Sequence, residues 1–295
     1  MRRALHASVV TVIAACAVLA VVAALGDFPA VSWRFRPAAL CLGVAAFAIS
    51  LLAAAEIWRR ILGALGPSIG ARRSAAIWFT SGLGRYVPTS LLLPVLRAAM
   101  TEREGVPKRI SLASMAYELG LSSTAALVIG AYFVIDLPSL SGSPGRFLVL
   151  VFPITALVLL QPRFFHSFAD KLLARLGRER LPASLPGSRV LVLAGLYGLT
   201  YVIAGFGLYA LAQSIYPVGV SELAIVVGAF SVGTALSLVG LALPGGLLAR
   251  EAGIALALSP VMPAAPAIAI ALLCRIVQLG LELLGALIAP IVARI

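Results

Sequence analysis

Charged residues are scarce in this sequence, and their scarcity excludes a soluble globular protein. Only 12% of the 295 residues are charged, whereas 61% are hydrophobic, and the mean hydropathy is +1.07. So little polar surface cannot cover a soluble globule of this size, and several apolar runs reach the roughly 18 residues that a membrane-spanning helix needs. The sequence therefore predicts an all-α polytopic membrane protein, with a single membrane domain over residues 1–295.

Cysteine, histidine and catalytic motifs are also scarce or absent. The cysteines Cys16, Cys41 and Cys274 lie in candidate spans without paired spacing, and neither His6 nor His166 has a metal-ligand companion at a recognisable spacing. The chain lacks a Walker loop, a G-x-S-x-G elbow and an H-E-x-x-H motif. We therefore expect no disulfide, metal or cofactor and no enzymatic activity. An intramembrane enzyme acting on a lipid phosphate is the minor alternative, although no nucleophile–base pair supports it.

Basic residues outnumber acidic residues by 23 to 11. In a soluble protein this excess would suggest a nucleic-acid partner, but here the basic residues cluster in loops between apolar runs and no nucleic-acid module is recognisable. Such placement is typical of orientation in a membrane and of attraction to anionic headgroups. We expect membrane lipids as partners, no nucleic acid, and a location in the plasma membrane, which the Ala-, Gly- and Arg-rich composition suggests is bacterial.

Six apolar runs are candidate membrane spans, at 6–26, 37–57, 110–134, 147–161, 189–212 and 266–293. The first is longer than the roughly 7–15 apolar residues of a cleaved signal peptide, so we interpret it as an uncleaved span. Two further apolar pieces, 74–96 and 222–258, contain charges and helix breakers. The basic clusters, one of which contains Arg97, Arg103 and Lys108, all lie inside only if both pieces are re-entrant hairpins. Both termini are then cytoplasmic.

The two hairpins make the halves of the chain, about 1–136 and 146–295, an inverted repeat. Each half consists of two spans, a broken hairpin and a further span. Interrupted backbone at membrane depth survives only where it is buried in protein or lines a wet cavity. Paired interruptions in the two halves indicate a transporter with its site near the membrane midplane. The alternative is eight full spans, with 74–96 and 222–243 crossing, which violates the positive-inside rule at one cluster.

Four charged residues within the apolar segments are the candidate ligands of a lipid headgroup: Arg85, Glu118, Arg250 and Arg275. Arg85 lies near the tip of the first hairpin, up to roughly 15 Å deep. Arginine presents planar donors that match a phosphate. Glu118 needs a partner, and Arg85, Arg250, a cationic headgroup or a proton would each serve. For each charge, the alternative is a purely structural ion pair or, for Glu118, a permanently protonated acid.

Arg275, Gln278 and Glu282 share one face of the last span, a face that cannot contact lipid. Arg275 and Glu282 are roughly 10 Å apart along the helix axis, so each should pair with another element. The residues that we expect to support the site share a role in positioning its ligands or breaking its helices: Pro88, Arg97, Pro244, Gly245, Gly246, Glu251, Gln278 and Glu282.

At these positions the chain resembles the lysylphosphatidylglycerol synthase transmembrane region, a flippase-like family. The segments that carry the resemblance are Trp58-Arg59-Arg60-Ile61-Leu62, Gly84-Arg85-Tyr86-Val87-Pro88, Arg97 with Glu104-Gly105-Val106, Glu118, Pro244-Gly245-Gly246 with Arg250-Glu251, and Arg275 with Glu282. The resemblance covers nearly the whole chain. It implies a domain that moves a lipid between leaflets, in the best-known members an aminoacylated phosphatidylglycerol. Because the aminoacyl-transferase fused to that domain is missing here, the resemblance does not imply synthesis.

These observations lead to two hypotheses of different kinds. The first is a lipid translocase that moves a phosphate-bearing phospholipid or polyprenyl lipid between leaflets. In it Arg85, Arg250 and Arg275 bind the phosphate and Glu118 balances the charge. The second is a non-transporting accessory subunit of an envelope-lipid or glycan biosynthetic enzyme, in which the buried charges are structural. Charges that all pair with one another would favour the second hypothesis.

Overall fold

The computed structural model describes residues 33–86, 92–135, 185–239 and 249–293, together with single positions between 151 and 171. Every regular element in these ranges is a helix, and five of them are long and apolar enough to cross a membrane. The predicted all-α polytopic membrane protein is thereby confirmed. The predicted span 6–26, most of 147–161 and the chain termini lie outside the described residues.

Eight continuous helices are described: α1 (Pro37–Leu65), α2 (Ala71–Gly82), α3 (Leu92–Arg103), α4 (Lys108–Ile135), α5 (Gly187–Ile215), α6 (Leu223–Val239), α7 (Ala249–Leu258) and α8 (Ala264–Val292). The four longest have 28 or 29 residues. At a rise of about 1.5 Å per residue they measure roughly 42–44 Å, more than the roughly 30 Å hydrocarbon core. Each is therefore long enough for its ends to reach the headgroup region on both sides.

The first predicted hairpin consists of α2, a 3₁₀ turn over Leu83–Tyr86, and α3. Each helix has 12 residues and measures roughly 18 Å, too short to cross the hydrocarbon core. The two pack against each other, and Gly84 permits the approach, because a Cβ there would stand 2.7 Å from the backbone nitrogen of Leu93. These lengths agree with a re-entrant hairpin and argue against a full crossing by 74–96.

The second predicted hairpin has two unequal arms. With its preceding 3₁₀ turn, α6 forms a 19-residue apolar stretch over Val220–Leu238 that is long enough to cross, whereas α7 has only 10 residues. The arms pack closely through glycines, because a Cβ on Gly253 would lie 2.8 Å from the Cα of Gly233. Length alone does not distinguish a hairpin from a crossing at 222–243, so re-entry stays a prediction here.

The contacts divide the chain into two compact units. Described residues within Met1–Phe47 and Ala204–Gln278 form the first unit, which contains α6 and α7. Those within Ala48–Ile203 and Leu279–Ile295 form the second unit, which contains α2, α3 and α4. Each unit thus contains one of the two predicted hairpins. The single membrane domain and its inverted halves stay predictions.

The core of the second unit is formed by large side chains from several helices. Buried members include Trp58, Ile61, Leu62, Tyr117, Leu121 and Tyr197. Among them lies Arg97, which is only 1% exposed. Because burying an unpaired charge is expensive, this guanidinium requires partners inside the core.

Candidate functional site

Arg97 of α3 forms a buried ion pair with Glu118 of α4. Its Nη1 donates to Glu118 Oε2, and its Nε donates to the Ser81 hydroxyl oxygen at 2.9 Å. The other oxygen of Glu118 accepts a hydrogen bond of 2.7 Å from the indole Nε1 of Trp78. Both carboxylate oxygens therefore have a donor, as a charge at this depth requires.

Two tryptophans complete the surroundings of Arg97. Its guanidinium carbon lies 4.9 Å from the ring centroid of Trp58 and 5.9 Å from that of Trp78, within the range of cation–π attraction. The Trp58 indole nitrogen donates to the Ser114 hydroxyl at 3.1 Å. Trp58 and Trp78 thus stabilise the cation with their faces while their N–H groups are satisfied by other residues. We call Arg97 and Glu118 the inner pair.

Arg85 makes a looser ion pair in the same unit. Its Nη1 lies 3.3 Å from Glu282 Oε1, and its side chain is 41% exposed, compared with 2% for Arg97. Its Nε donates to the carbonyl of Gly82, while Tyr86 donates its hydroxyl proton to the second oxygen of Glu282 at 2.8 Å. Charge-assisted hydrogen bonds usually measure about 2.7–2.9 Å, so this pair is weaker than the inner pair.

The first unit contains a different charged group, formed by Arg250, Glu251 and Arg275. Arg275 lies 3.5 Å from Glu251, linking α8 to α7. Arg250 stacks on Phe230, with its guanidinium carbon 4.5 Å from the ring centroid. Its Nε is buried without a hydrogen-bond acceptor, and among the described residues no carboxylate pairs with it. Arg250 is therefore a cation without a counter-ion in this part of the chain.

The two charged groups differ in their net charge. In the second unit two arginines, Arg85 and Arg97, face two glutamates, Glu118 and Glu282, which leaves no net charge. Among the described residues of the group in the first unit, the two arginines Arg250 and Arg275 accompany the single carboxylate of Glu251, which leaves one positive charge there. The nine residues 240–248 between α6 and α7 include no acidic residue in the sequence. An anion from outside the protein would restore neutrality around Arg250.

The structure brings together some of the predicted site residues and separates others. Arg85 meets Glu282, and Arg275 meets Glu251, so each charge on the polar face of α8 pairs with another element as its spacing predicts. Gln278 is buried on α8 within the first unit. Pro88, Pro244, Gly245 and Gly246 share a position at a hairpin tip and lie outside the described residues.

The partner of Glu118 is a correction to the sequence interpretation. The expected candidates were Arg85, Arg250, a cationic headgroup or a proton, but Arg97 and Trp78 bind the carboxylate. The sequence grouped Arg97 with a cytoplasmic basic cluster because the positive-inside rule counts charges without regard to depth. A signal was present, since Arg97 is the only charge in the stretch 92–100. Nothing in the spacing identified Trp78, which sequence reasoning missed.

Comparison with known proteins agrees with the resemblance described above. A sequence model described as the lysylphosphatidylglycerol synthase TM region matches residues 7–285, which include every charged residue of both groups. This region is the non-catalytic part of the family. No curated protein sequence matches the chain.

Proposed function

Because this chain belongs to the lysylphosphatidylglycerol synthase TM-region family, a family of membrane proteins of lipid metabolism or flippase type, we propose that it moves a phosphate-bearing lipid between membrane leaflets. The cargo is a phospholipid or a polyprenyl lipid, whose chains stay in the bilayer while the headgroup contacts the protein. The chain is a multi-pass membrane protein. We place it in the plasma membrane, and the positive-inside rule supports an orientation with both termini in the cytoplasm.

Arg250 is the observation that carries this proposal. A guanidinium in an apolar segment needs a counter-ion, and Arg250 has neither a carboxylate among the described residues nor an acceptor for its Nε. A phosphate supplies negative charge and several acceptor oxygens at once. Stacking on Phe230 fixes the plane of the guanidinium, which restricts the directions of its N–H donors before the headgroup arrives.

The other charged residues have separate proposed roles. Arg85 is a second phosphate ligand, because it is partly exposed and its contact with Glu282 is long. Arg275 contributes a second positive charge to the group that contains Arg250, and its side chain is held by the ion pair with Glu251. Glu118 neutralises Arg97 and fixes α3 against α4, so it balances charge without touching the cargo. An anionic headgroup is therefore the preferred cargo.

One observation favours the accessory-subunit alternative. In the charged group of the second unit, Arg85 pairs with Glu282 and Arg97 pairs with Glu118, which is what a structural network would show. In that case the chain would stabilise an envelope-lipid or glycan enzyme and would move no lipid. The uncompensated charge of Arg250 weighs against this alternative, because a purely structural arginine would be expected to have an acceptor for its buried Nε.

A reconstitution experiment tests the proposal. The purified chain is placed in liposomes that contain a fluorescent phospholipid or polyprenyl phosphate, and dithionite reports how fast inner-leaflet probe reaches the outside. We expect the wild type to move the probe faster than it moves in protein-free liposomes. The rate in Arg250→Gln should be about tenfold or more lower than in the wild type, because charge-assisted hydrogen bonds to the headgroup are lost. Arg85→Ala should also slow movement, but by less.

Arg34→Gln is the matched control, because Arg34 is exposed and its removal changes the net charge equally. It should leave the rate unchanged. Equal rates in wild type and Arg250→Gln would contradict the role of Arg250. No movement of any phosphate lipid by the wild type would favour the accessory subunit.

A further inference from the structure

A shallow groove lies where the end of α1 meets the start of α5, within the second unit. Its volume is about 300 Å³. Two arginines and a hydroxyl form its polar lining, Arg60, Arg189 and Ser188. Its apolar lining is formed mainly by Val192, Leu193 and Leu196. None of these residues belongs to the two charged groups described above.

The lengths of α1 and α5 indicate that the groove lies at the level of lipid headgroups. Helices α1 and α5 each have 29 residues and measure roughly 43 Å, so their ends extend beyond the roughly 30 Å hydrocarbon core. Arg60 lies in the last two turns of α1, and Arg189 lies in the first turn of α5. The apolar residues follow Arg189 along α5 toward the hydrocarbon. A polar end and an apolar wall therefore meet at the membrane boundary.

The groove also has an excess of positive charge. Glu56 is bound by Arg59 through two hydrogen bonds of 2.6 and 2.7 Å, and Arg60 reaches it only through Nε, at 2.9 Å. Among the described residues, no carboxylate pairs with Arg189. Among the described residues at this end, three arginines against one glutamate leave two positive charges. Both lining arginines retain N–H donors for an anionic ligand.

We propose that this groove binds one anionic phospholipid of the surrounding leaflet. The phosphate lies between Arg60 and Arg189, and an acyl chain covers the apolar wall, where Val192 is 62% exposed. A free phosphate would match the charge but would leave that wall uncovered. A neutral or zwitterionic lipid would cover the wall but would leave the positive charge unbalanced.

Lipid occupancy of the purified full chain tests this proposal without requiring transport. Native mass spectra are recorded after addition of phosphatidylglycerol, phosphatidylcholine or inorganic phosphate. We expect phosphatidylglycerol to bind preferentially, and Arg60→Gln/Arg189→Gln to weaken its binding roughly 30-fold, since each surface arginine contributes about a fivefold preference. Val192→Trp, which fills the groove without changing its charge, should also lower occupancy.

The control is Arg34→Gln/Arg103→Gln, which removes two exposed arginines outside the groove. It should retain the phosphatidylglycerol preference. An equal loss in this control, unchanged binding in Arg60→Gln/Arg189→Gln, or equal binding of phosphatidylcholine to the wild type would overturn the proposal. Displacement of the lipid by millimolar inorganic phosphate would identify a free-anion site and would overturn the lipid assignment.

Discussion

The environments of Arg97 and Arg250 show two ways of keeping an arginine inside apolar helices. Arg97 is almost fully buried, and carboxylate, hydroxyl and aromatic groups of its own chain surround it. Arg250 has an aromatic face beneath it but no carboxylate among the described residues, and its Nε has no acceptor. The first arrangement is complete without a ligand, whereas the second is electrostatically incomplete. Burial of a charge therefore does not by itself indicate a binding site, and charge balance is the better guide.

The helices around each arginine explain the difference. The hairpin of α2 and α3 provides Trp78 and Ser81, and α4 adds Glu118, so polar groups converge on Arg97. The arms α6 and α7 meet through Gly233 and Gly253, which supply no polar side chain at their contact. Close glycine packing stabilises the second hairpin and leaves Arg250 unsatisfied.

The largest effect should come from breaking the inner pair. Arg97→Met leaves Glu118 buried without its cation, and loss of one partner from a buried pair costs about 3–5 kcal/mol. Thermal or denaturant unfolding of the purified protein measures this loss. Arg97→Met/Glu118→Gln should recover most of it, because no uncompensated charge remains. If the free energy of unfolding of Arg97→Met lay within about 1 kcal/mol of the wild-type value, the inner pair would not be needed to stabilise the fold.

Trp78→Phe should have the next largest effect. It keeps an aromatic ring beside Arg97 but removes the hydrogen bond of 2.7 Å to Glu118, which we expect to lower the free energy of unfolding by about 1.5–3 kcal/mol. Trp58→Phe is the matched control, because it removes a neutral hydrogen bond to Ser114 and should cost about 1 kcal/mol. A larger loss of stability in Trp58→Phe than in Trp78→Phe would contradict the importance that we assign to the hydrogen bond with Glu118.

Glu282→Gln changes a balanced group into an unbalanced one. It removes the counter-ion of Arg85 and should cost about 1 kcal/mol or less, since Arg85 is partly exposed. The charge of the second unit's group then becomes +1, as around Arg250, so binding of an anionic lipid should tighten about fivefold. Equilibrium binding of a fluorescent phosphate lipid measures this gain. Tyr86→Phe, which removes only the hydroxyl contact with Glu282, should show a smaller gain.

Arg250→Gln should change stability least, although we expect it to impair lipid movement. The substitution removes a cation–π contact worth about 0.5–1 kcal/mol and no ion pair with a described residue, so the free energy of unfolding should fall by less than about 1 kcal/mol. The unfolding experiment described for Arg97→Met also measures this change in stability. A loss comparable with that of Arg97→Met would give Arg250 a structural role.

The long helices could be predicted from the sequence because hydropathy is a local property. The apolar runs 37–57, 110–134, 189–212 and 266–293 correspond to α1, α4, α5 and α8. The second hairpin could not be decided in the same way, because a crossing helix and the longer arm of a hairpin have the same composition. The structure adds that α7 has only 10 residues, but α6 is long enough to cross, so re-entry of this hairpin stays a prediction.

The side-chain partners were harder to predict than the helices. The spacing of Arg275 and Glu282 indicates that they need different partners, and the structure provides Glu251 and Arg85. The pairing of Arg97 with Glu118 depends on how α3 packs against α4, which no periodicity in the sequence encodes. A charge count assigns Arg97 to a basic cluster, whereas its burial follows from tertiary contacts.

Binding of a labelled phosphate lipid to three proteins tests the contrast between the two arginines most directly. The proteins are the wild type, Arg250→Gln and Arg97→Met/Glu118→Gln, each checked for folding before the titration. We expect Arg250→Gln to bind at least about tenfold more weakly than the wild type, and the double variant to bind as the wild type does. Normal binding by Arg250→Gln together with loss of binding by the folded double variant would contradict the assignment of the headgroup to Arg250.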